Sequence, residues 1–455
     1  MRHHDVIVIG AGSGNLVIDD AFSDLDVAIV EERRFGGTCL NYGCIPSKML
    51  VYAADIARTV RDAGRYNVDA DFLRLRWTEL RDRVFNRLDA EEADGRAGRE
   101  KSDFVTVYRD HARFLGPKTL QIGAVTVEAD QIVIAAGGRP TVPPPVSESK
   151  LPYETSDTIM RIDTPPRRLA ILGGGYIAAE LAEVFAAAGS EIVIVEQAGR
   201  LLGPQDEAVA AAFTELAGER FELRLGRELK KLEGEPGALR LVLDDGAVVE
   251  ADSLLVVAGR TPNSDRLDLG KAGIKTYDDG RVVVDEYQRT DADGIYALGD
   301  ICSPYPLKHV ANREAEVVAH NLLHPGDLRA TDHDVVPAAV FTSPQIASVG
   351  ATEQDCRDAG RDYVAASHQY ADVAYGWAME DTNGFCKVLA DRSTGRLLGA
   401  HIMGAQAATL IQPLVVAMTL DLDARTLAER PYWIHPALTE VISNALRDLN
   451  QQLAR

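Results

Sequence analysis

Short apolar runs separated by a glycine turn begin the chain. Val6–Ile9 is typical of a buried strand, Gly10–Asn15 follows as the turn, and a second apolar run, Val27–Val30, ends at Glu31. This pattern predicts a βαβ unit with a helix between its strands, in which glycines let the backbone approach a pyrophosphate and the acid binds ribose hydroxyls. Asn15 replaces the usual third glycine, which predicts slightly looser packing. The expected dinucleotide-binding residues are Gly10, Gly12, Gly14 and Glu31.

A second unit with the same pattern begins at the apolar run Leu169–Leu172. The turn Gly173–Ala178 follows, a helix is predicted over Ala179–Ala188, and the strand Ile192–Val195 ends at Glu196. We therefore expect a second dinucleotide at this turn, with Glu196 beside its ribose.

In both units an apolar strand is followed by a similar short segment. Ala136–Pro140 and Leu254–Pro262 each end an apolar strand in a Gly-Arg pair followed closely by proline. This internal repeat indicates a duplicated fold that binds two dinucleotides, and a degenerate second copy is the alternative. A further apolar strand ends at Gly299 and Asp300. Open α/β sheets bind ligands at such strand ends, and a simple turn residue is the alternative for Asp300.

The rest of the chain carries helical and mixed patterns. A helix is predicted over Cys44–Arg61 and a charged, solvent-facing helix over Trp77–Lys101. The proline-rich segment Pro140–Pro145 is a candidate domain junction. From Val335 onward, short strand patterns and an apolar helix predicted over Thr409–Leu420 indicate a compact α+β domain.

Composition narrows the class of protein. A chain of 455 residues suggests about three domains. The formal net charge of −21 argues against nucleic acid or an anionic membrane as a partner. No apolar run approaches the roughly eighteen residues of a membrane span. The strand pattern begins at Val6 without a signal peptide, and five cysteines, an odd number, fit a reducing compartment. We therefore expect a cytoplasmic protein.

Two cysteines lie five positions apart in the segment Gly36–Lys48. In a regular α-helix five residues rotate the side chain by about 500° and rise about 7.5 Å, whereas a disulfide needs Cα atoms about 4.4–6.8 Å apart. Cys39 and Cys44 can therefore bond only across a break, and Gly43 and Pro46 predict a new helix that begins near Cys44. Because a thiol at a helix N-terminus has a lowered pKa, the pair indicates a redox disulfide. A structural bridge or half of a metal site are the alternatives, and no metal ligand is assigned.

A histidine and an acid form the last candidate pair. His435 precedes a proline, which favours extended backbone, and Glu440 follows five positions later. The spacing indicates a general base oriented by a carboxylate, and an inert surface histidine is the alternative.

Together these motifs resemble the flavoprotein disulfide reductases, the family of glutathione reductase and lipoamide dehydrogenase. The resemblance covers essentially the whole chain and rests on GGTCLNYGCIPSK at Gly36–Lys48, GGGYIAAE at Gly173–Glu180, YALGD at Tyr296–Asp300 and HPALTE at His435–Glu440. The stretch Asp372–Thr382 is most similar to the branch that reduces mycothiol disulfide. The implied fold class is α/β, with two Rossmann-like domains for FAD and NAD(P) and a C-terminal α+β dimerisation domain. The expected segments are 1–145 and 265–333 for FAD, 146–264 for NAD(P), and 334–455 for dimerisation.

The resemblance also implies the cofactors, FAD and either NADPH or NADH, and the residues around them. Those expected around FAD are Gly10, Gly12, Gly14, Glu31, Gly37, Thr38, Lys48, Ala112, Gly137, Asp300, Leu307, Lys308 and His309. Those expected around the nicotinamide nucleotide are Gly173, Gly175, Tyr176, Ile177, Glu180, Glu196 and Gly259, with Tyr176 covering the empty nicotinamide pocket.

In the implied mechanism, hydride passes from the nicotinamide to FAD, and the reduced flavin opens the Cys39–Cys44 disulfide. Cys44 becomes the thiolate beside the ring, and Cys39 attacks a low-molecular-weight disulfide. His435 transfers the proton, and the resemblance implies that it does so across a homodimer interface. The catalytic residues so implied are Cys39, Cys44, Lys48, Glu180, His435 and Glu440.

Coenzyme and substrate are less sharply defined. Glu196 favours NADH, because an acid there repels a 2′-phosphate, whereas the resembled branch is expected to use NADPH and Arg200 lies nearby. Glutathione reductases carry arginines after the first glycine turn, where this chain has Asp19 and Asp20. These acids disfavour glutathione and suit the sugar hydroxyls of mycothiol disulfide, or they are simply solvated. Dihydrolipoyl dehydrogenase and a non-catalytic flavin-binding subunit are the alternatives.

Overall fold

A computed structural model describes residues 2–454. The strands are β1 (Arg2–Ile9), β2 (Val27–Val30), β3 (Val105–Tyr108), β4 (Ala112–Gly116), β5 (Thr119–Ile122), β6 (Val125–Ile134), β7 (Gly138–Pro140), β8 (Glu154–Thr155), β9 (Arg168–Leu172), β10 (Glu191–Glu196), β11 (Glu222–Leu225), β12 (Leu229–Glu235), β13 (Ala238–Leu243), β14 (Val248–Ala251), β15 (Ser253–Val256), β16 (Arg260–Pro262), β17 (Ile295–Ala297), β18 (Pro337–Val340), β19 (Ile346–Gly350), β20 (Tyr363–Gln369), β21 (Phe385–Asp391) and β22 (Leu397–Met403). The helices are α1 (Gly37–Asn41), α2 (Cys44–Arg61), α3 (Trp77–Glu100), α4 (Pro144–Ser147), α5 (Tyr176–Ala187), α6 (Glu207–Gly218), α7 (Lys308–Leu323), α8 (Glu353–Asp358), α9 (Ala374–Ala378), α10 (Ala407–Leu410), α11 (Gln412–Thr419), α12 (Ala424–Glu429) and α13 (Glu440–Leu453). No helix within 2–454 has the length and apolar character needed to cross a membrane.

The first sheet has the order β3-β2-β1-β6-β5-β4, and β17 also pairs with β6. Strands β2, β1, β6 and β17 are mutually parallel. Their carboxyl ends therefore lie at one edge, where open α/β sheets bind ligands. Gly10, Glu31, Gly137 and Asp300 all follow these strand ends, so the fold brings together residues that are up to 290 positions apart in sequence.

The second unit is a parallel sheet of order β11-β10-β9-β15-β8, accompanied by the antiparallel β12-β13-β14 meander. The repeated exits pair with each other: β7 and β16 are antiparallel, with Arg139 opposite Thr261 and Pro140 opposite Arg260. The predicted α/β class with two Rossmann-like units is confirmed, and the repeat also supplies the connection between the units.

The C-terminal part forms an antiparallel sheet of order β18-β19-β22-β21-β20 covered by helices. The last helix, α13, buries one face against this sheet through Val441, Ile442, Ala445, Leu446 and Leu449. The predicted α+β character of this region is confirmed. The residue limits proposed for the individual domains stay predictions.

The prediction of a helix between β1 and β2 is wrong. Two short 3-10 turns, Ser13–Leu16 and Asp20–Phe22, occupy its place. The Arg99 guanidinium, which comes from α3, donates to the backbone carbonyls of Asn15 and Ile18, and the Asp19 carboxylate accepts from the backbone N–H of Ala21. These side chains satisfy backbone groups that would otherwise bond within a helix.

The looser packing expected from Asn15 is not found, because Gly14 provides the close contact. A Cβ atom on Gly14 would lie 2.7 Å from the Ala135 Cβ and 2.9 Å from the Val8 Cγ1. The glycine one position earlier thus lets the turn lie directly against the sheet.

Two predicted helix boundaries also differ. The apolar helix predicted over Thr409–Leu420 is divided into α10 and α11 at Ile411, because Pro413 cannot donate to the carbonyl four residues earlier and its ring displaces that turn. Helix α5 begins at Tyr176 rather than Ala179, while α2 has the predicted bounds.

Candidate active site

A large cleft opens at the carboxyl edge of the first sheet and extends to α2 and α5. It holds about 1630 Å³ of empty space, part of it open to solvent. Fifteen of the predicted site residues line it: Gly10, Gly12, Glu31, Gly37, Thr38, Cys39, Cys44, Lys48, Ala112, Gly137, Tyr176, Ile177, Glu180, Asp300 and Lys308. The cleft therefore unites both glycine-rich segments of the first unit, the cysteine pair and the start of α5.

Backbone atoms form much of the cleft floor. Gly10 has φ +107°, and a Cβ there would lie 2.3 Å from the carbonyl oxygen of Ala135. A Cβ on Gly37 would lie 2.7 Å from the Cα of Gly12, so these two segments touch without side chains. Only glycine permits both the left-handed conformation and this approach.

Two carboxylates face the same cleft. Glu31 accepts hydrogen bonds from the backbone N–H groups of Ala11 at 2.9 Å and Arg33 at 2.8 Å. Burial raises the pKa of Glu31 and also that of Asp300. No side chain within 2–454 lies within hydrogen-bond or ion-pair distance of the Asp300 carboxylate, so it has accepting capacity for ligand hydroxyls. A glycine cradle between two acids fits the diphosphate and the two polyol parts of FAD.

The break predicted between the cysteines is confirmed. Cys39 lies in α1 and Cys44 is the first residue of α2, with Tyr42 and Gly43 between the helices. A Cβ on Gly43 would lie 3.1 Å from the carbonyl oxygen of Thr38, which explains the glycine.

Both cysteines are free thiols in the structure. Their mutual hydrogen bond, followed by burial, raises the pKa of Cys39 far above its usual value. The same hydrogen bond, assisted by the Lys48 charge, lowers the pKa of Cys44 to about 7. The hydrogen bond and the Lys48 charge therefore favour Cys44 as the thiol that ionises first.

Lys48 and Glu180 form an ion pair beside the cysteines. The Lys48 Nζ lies 2.8 and 2.7 Å from the two carboxylate oxygens of Glu180. The same carboxylate accepts from the backbone N–H of Phe341 at 3.0 Å, and the Phe341 ring lies 4.9 Å from the Lys48 Nζ. Glu180 is 3% exposed, so its charge depends on these partners.

Replacement of Lys48 by methionine is expected to lower the free energy of unfolding by about 3 kcal/mol, because the buried Glu180 carboxylate loses its cation. The matched control is Lys271→Met, which breaks the exposed pair with Asp268 and should change the free energy of unfolding far less. Urea unfolding of the holoprotein measures both values. Equal losses would contradict a stabilising role for the buried pair.

His435 and Glu440 also form the predicted pair. His435 Nδ1 lies 2.8 Å from Glu440 Oε1, and this hydrogen bond lowers the pKa of Glu440. The His435 side chain is 71% exposed and does not line the cleft of its own chain. The structure thus brings His435 to Glu440 but not to Cys39.

The second glycine turn repeats the geometry of the first. Gly173 has φ +116°, and a Cβ there would lie 2.5 Å from the carbonyl oxygen of Val257. Glu196 accepts from the backbone N–H groups of Gly174 and Ala198, as Glu31 does in the first unit. This turn does not line the large cleft, nor do the remaining predicted residues Gly14, Gly173, Gly175, Glu196, Gly259, Leu307 and His309. The His309 side chain instead bonds the carbonyl oxygen of Pro337 at 2.9 Å.

Sequence reasoning missed several cleft residues. Arg33 stacks 4.4 Å over the Tyr42 ring and bonds Asp157 at 2.8 Å, while Arg260 donates to the carbonyl oxygen of Gly138. Tyr42 lies in the segment between the two cysteines, and Arg260 lies in the repeated Gly-Arg segment after a strand. Their positions within these motifs were the sequence signal that could have identified them. No sequence signal indicated the contact of Arg33 with Asp157, because it joins residues 124 positions apart.

The fold and the cleft are typical of an oxidoreductase that has two dinucleotide-binding units and a pair of cysteines. Residues 4–315 match the family described as pyridine nucleotide-disulphide oxidoreductase, and residues 336–446 match its dimerisation domain. The chain belongs to the pyridine nucleotide-disulphide oxidoreductase family. It is an oxidoreductase that acts on a sulfur group and uses FAD and NAD(P)H.

Individual relatives agree with this assignment. The chain is 48% identical to mycothione reductase of Mycobacterium tuberculosis (strain CDC 1551 / Oshkosh), over 99% of this chain and 100% of the relative. It is 34% identical to glutathione reductase of Burkholderia cepacia, over 96% of this chain and 97% of the relative. A solved structure of the HOCl-induced flavoprotein disulfide reductase of Escherichia coli, in its Cu(II) complex, superposes on this chain with a TM-score of 0.87 at 26% identity. The superposition covers 98% of this chain and 99% of the solved one. The enzyme is therefore a flavoprotein disulfide reductase.

Proposed function

We propose that the enzyme reduces mycothiol disulfide to mycothiol with electrons from NAD(P)H. The observation that carries this proposal is the cysteine pair at the break between α1 and α2, beside the Lys48–Glu180 pair, in a chain 48% identical to a mycothione reductase over its length. Asp19 and Asp20 are exposed on the turn that follows the first glycines. Carboxylates there accept hydrogen bonds from sugar hydroxyls and repel the carboxylates of glutathione.

The cysteines would carry the exchange. Bound FAD supplies two-electron transfer between the nicotinamide nucleotide and the cysteine pair. Cys39 attacks one sulfur of the substrate, forming a mixed disulfide and releasing the first thiol. The Cys44 thiolate then attacks Cys39, which re-forms the Cys39–Cys44 disulfide and releases the second thiol.

Proton transfer would come from a second subunit. His435, held by Glu440, takes the Cys39 proton and gives it to the leaving thiolate. Because His435 is exposed and outside the cleft of its own chain, we propose a homodimer in which His435 of the partner subunit completes the site. A cytoplasmic enzyme fits this chemistry, since the three cysteines outside the redox pair, Cys302, Cys356 and Cys386, are buried free thiols.

Parallel assays test the proposal. Purified holoenzyme is offered mycothiol disulfide, glutathione disulfide and lipoamide with each coenzyme, and we expect the highest kcat/KM with mycothiol disulfide. Turnover of lipoamide alone would overturn the proposal in favour of a dihydrolipoyl dehydrogenase. Full FAD content without turnover of any disulfide would instead indicate a flavin-binding subunit.

The dihydrolipoyl alternative has one observation in its favour. Glu196 is held at the second glycine turn by two backbone N–H groups, in the geometry of Glu31. An acid so placed binds a ribose 2′-hydroxyl and suits NAD(H).

Glu196→Ala is expected to raise the kcat/KM ratio of NADPH to NADH about tenfold, which corresponds to removal of about 1.4 kcal/mol of like-charge repulsion. Steady-state kinetics with both coenzymes measure the ratio. Glu196→Gln, which keeps an acceptor for the Gly174 N–H but removes the charge, should change it in the same direction. An unchanged ratio in both variants would show that Glu196 does not select the coenzyme.

A further inference from the structure

A buried ion pair joins the second unit to the C-terminal region, and none of its members lines the cysteine cleft. Lys387 of β21 is 6% exposed, and Asp206, the residue before α6, is fully buried. The Lys387 Nζ lies 2.8 and 3.0 Å from the two carboxylate oxygens of Asp206 and 2.6 Å from Glu353 Oε2 at the start of α8. Burial opposes the charge of Lys387, but the hydrogen bonds to both carboxylates outweigh it and raise the pKa of this group. The pair is therefore ionised, and breaking it would leave a buried charge without its partner.

Asp206 ends the loop formed by residues 197–206, which follows β10 and precedes α6. The Asp206 carboxylate also accepts a hydrogen bond from the backbone N–H of Glu353 at 3.0 Å. One residue earlier, the carbonyl oxygen of Gln205 accepts from Gln354 Nε2 at 2.9 Å. Together with the ion pair, three contacts from the C-terminal region therefore hold the end of this loop.

The middle of the 197–206 loop lies against the second glycine turn. The backbone N–H of Leu202 donates to the carbonyl oxygen of Gly174 at 2.8 Å. A Cβ on Gly174 would lie 2.8 Å from both the Leu201 Cδ2 and the Glu196 Cγ. Leu202 has φ +53°, a left-handed conformation that residues other than glycine adopt rarely. Because such a conformation persists only where its surroundings hold it, we expect it to relax when the end of the loop is released.

We propose that Lys387 is a positioning residue for the nicotinamide coenzyme: through Asp206 it fixes the 197–206 loop against the second glycine turn, where the ribose of the coenzyme binds. The proposal rests on the proposed coenzyme site at this turn, in which Glu196 faces the ribose. A loop that is already ordered in the free enzyme loses little further conformational entropy when the ligand binds. Release of the loop should therefore weaken coenzyme binding and leave the exchange at the cysteines intact.

The test compares coenzyme binding with the order of the loop in the holoenzyme. Oxidised holoenzyme is titrated calorimetrically with NADP⁺ and with NAD⁺, and amide hydrogen exchange of the peptide that contains 197–206 is followed by mass spectrometry. Lys387→Met should raise both dissociation constants about 5- to 20-fold and should speed exchange in the loop, since its anchored end is released. The KM for NAD(P)H should rise accordingly, while kcat at saturating coenzyme and the KM for the disulfide stay within about twofold of wild type.

Two further variants identify the route of the effect. Asp206→Asn keeps a side-chain oxygen for the cap of α6 but removes the charge, and it should weaken coenzyme binding as Lys387→Met does. Glu353→Gln is the matched control, because it removes the carboxylate that binds Lys387 from outside the loop. It should leave both dissociation constants near those of wild type. If Lys387→Met does not fold, Asp206→Asn decides, because Lys387 then still has Glu353 as its partner.

Unchanged dissociation constants in Lys387→Met would overturn the proposal, and so would an equal rise in Glu353→Gln, since the effect would then not pass through Asp206. Failure of the coenzyme site itself is distinguishable. In wild type, NADP⁺ should slow hydrogen exchange in the second glycine turn, and no slowing there would remove the site on which the proposal rests. Slowing there, together with wild-type coenzyme binding in Lys387→Met, would reject only the role of the lysine.

Discussion

Cys39→Ser is expected to reduce disulfide turnover by at least about 10³-fold, because the serine hydroxyl cannot form the mixed disulfide that the proposed role of Cys39 requires. Cys44 remains, so the variant should still bind both cofactors. Steady-state turnover of mycothiol disulfide, with FAD content measured in the same preparation, gives the effect.

A matched thiol variant separates chemistry from structure. Cys356 lies in α8, is buried and does not line the cleft, so Cys356→Ser should keep turnover close to wild type. A thiol count after anaerobic reduction should rise by two in wild type and by none in Cys39→Ser. Turnover of more than about a tenth of the wild-type rate in Cys39→Ser would eliminate Cys39 as the attacking sulfur.

The second large effect concerns the subunit from which His435 acts. His435→Ala should lower turnover about 10²- to 10⁴-fold. When Cys39→Ser and His435→Ala subunits are co-expressed with different affinity tags, the purified heterodimer should recover one working site. This follows because the intact Cys39 of one subunit meets the intact His435 of the other.

The mirrored heterodimer is the control. It pairs a wild-type subunit with a subunit carrying both substitutions, and it should be inactive if His435 acts across the interface. If His435 instead acts within its own chain, the two heterodimers exchange behaviour: the mirrored one is active and the first is not. The comparison uses the same substitutions in both proteins, so losses of stability cancel.

Local sequence was sufficient for elements whose conformation depends on their own residues. The strand Val27–Val30 and helix α2 have the predicted bounds, because a run of buried β-branched residues and a break at Gly43 act over a few positions. The two glycine turns with their acids were predicted for the same reason.

Distant contacts account for most of what was not predicted. The turns after Gly12 replace a helix because Arg99, more than eighty residues away, binds the carbonyls of Asn15 and Ile18. The hydrogen bond of Arg33 with Asp157 likewise joins residues 124 positions apart. No local pattern specifies such contacts, since they form only when separate elements are packed together.

The Glu180 carboxylate has a consequence for how this enzyme can evolve. It belongs to α5 of the second unit, its cation comes from α2 of the first, and its third partner is a backbone amide just after β18 in the C-terminal region. A chimera that exchanges one of these modules with a distant relative must preserve all three contacts simultaneously. Recombination within this lineage is thereby restricted to crossovers that transmit the three positions as a coupled set.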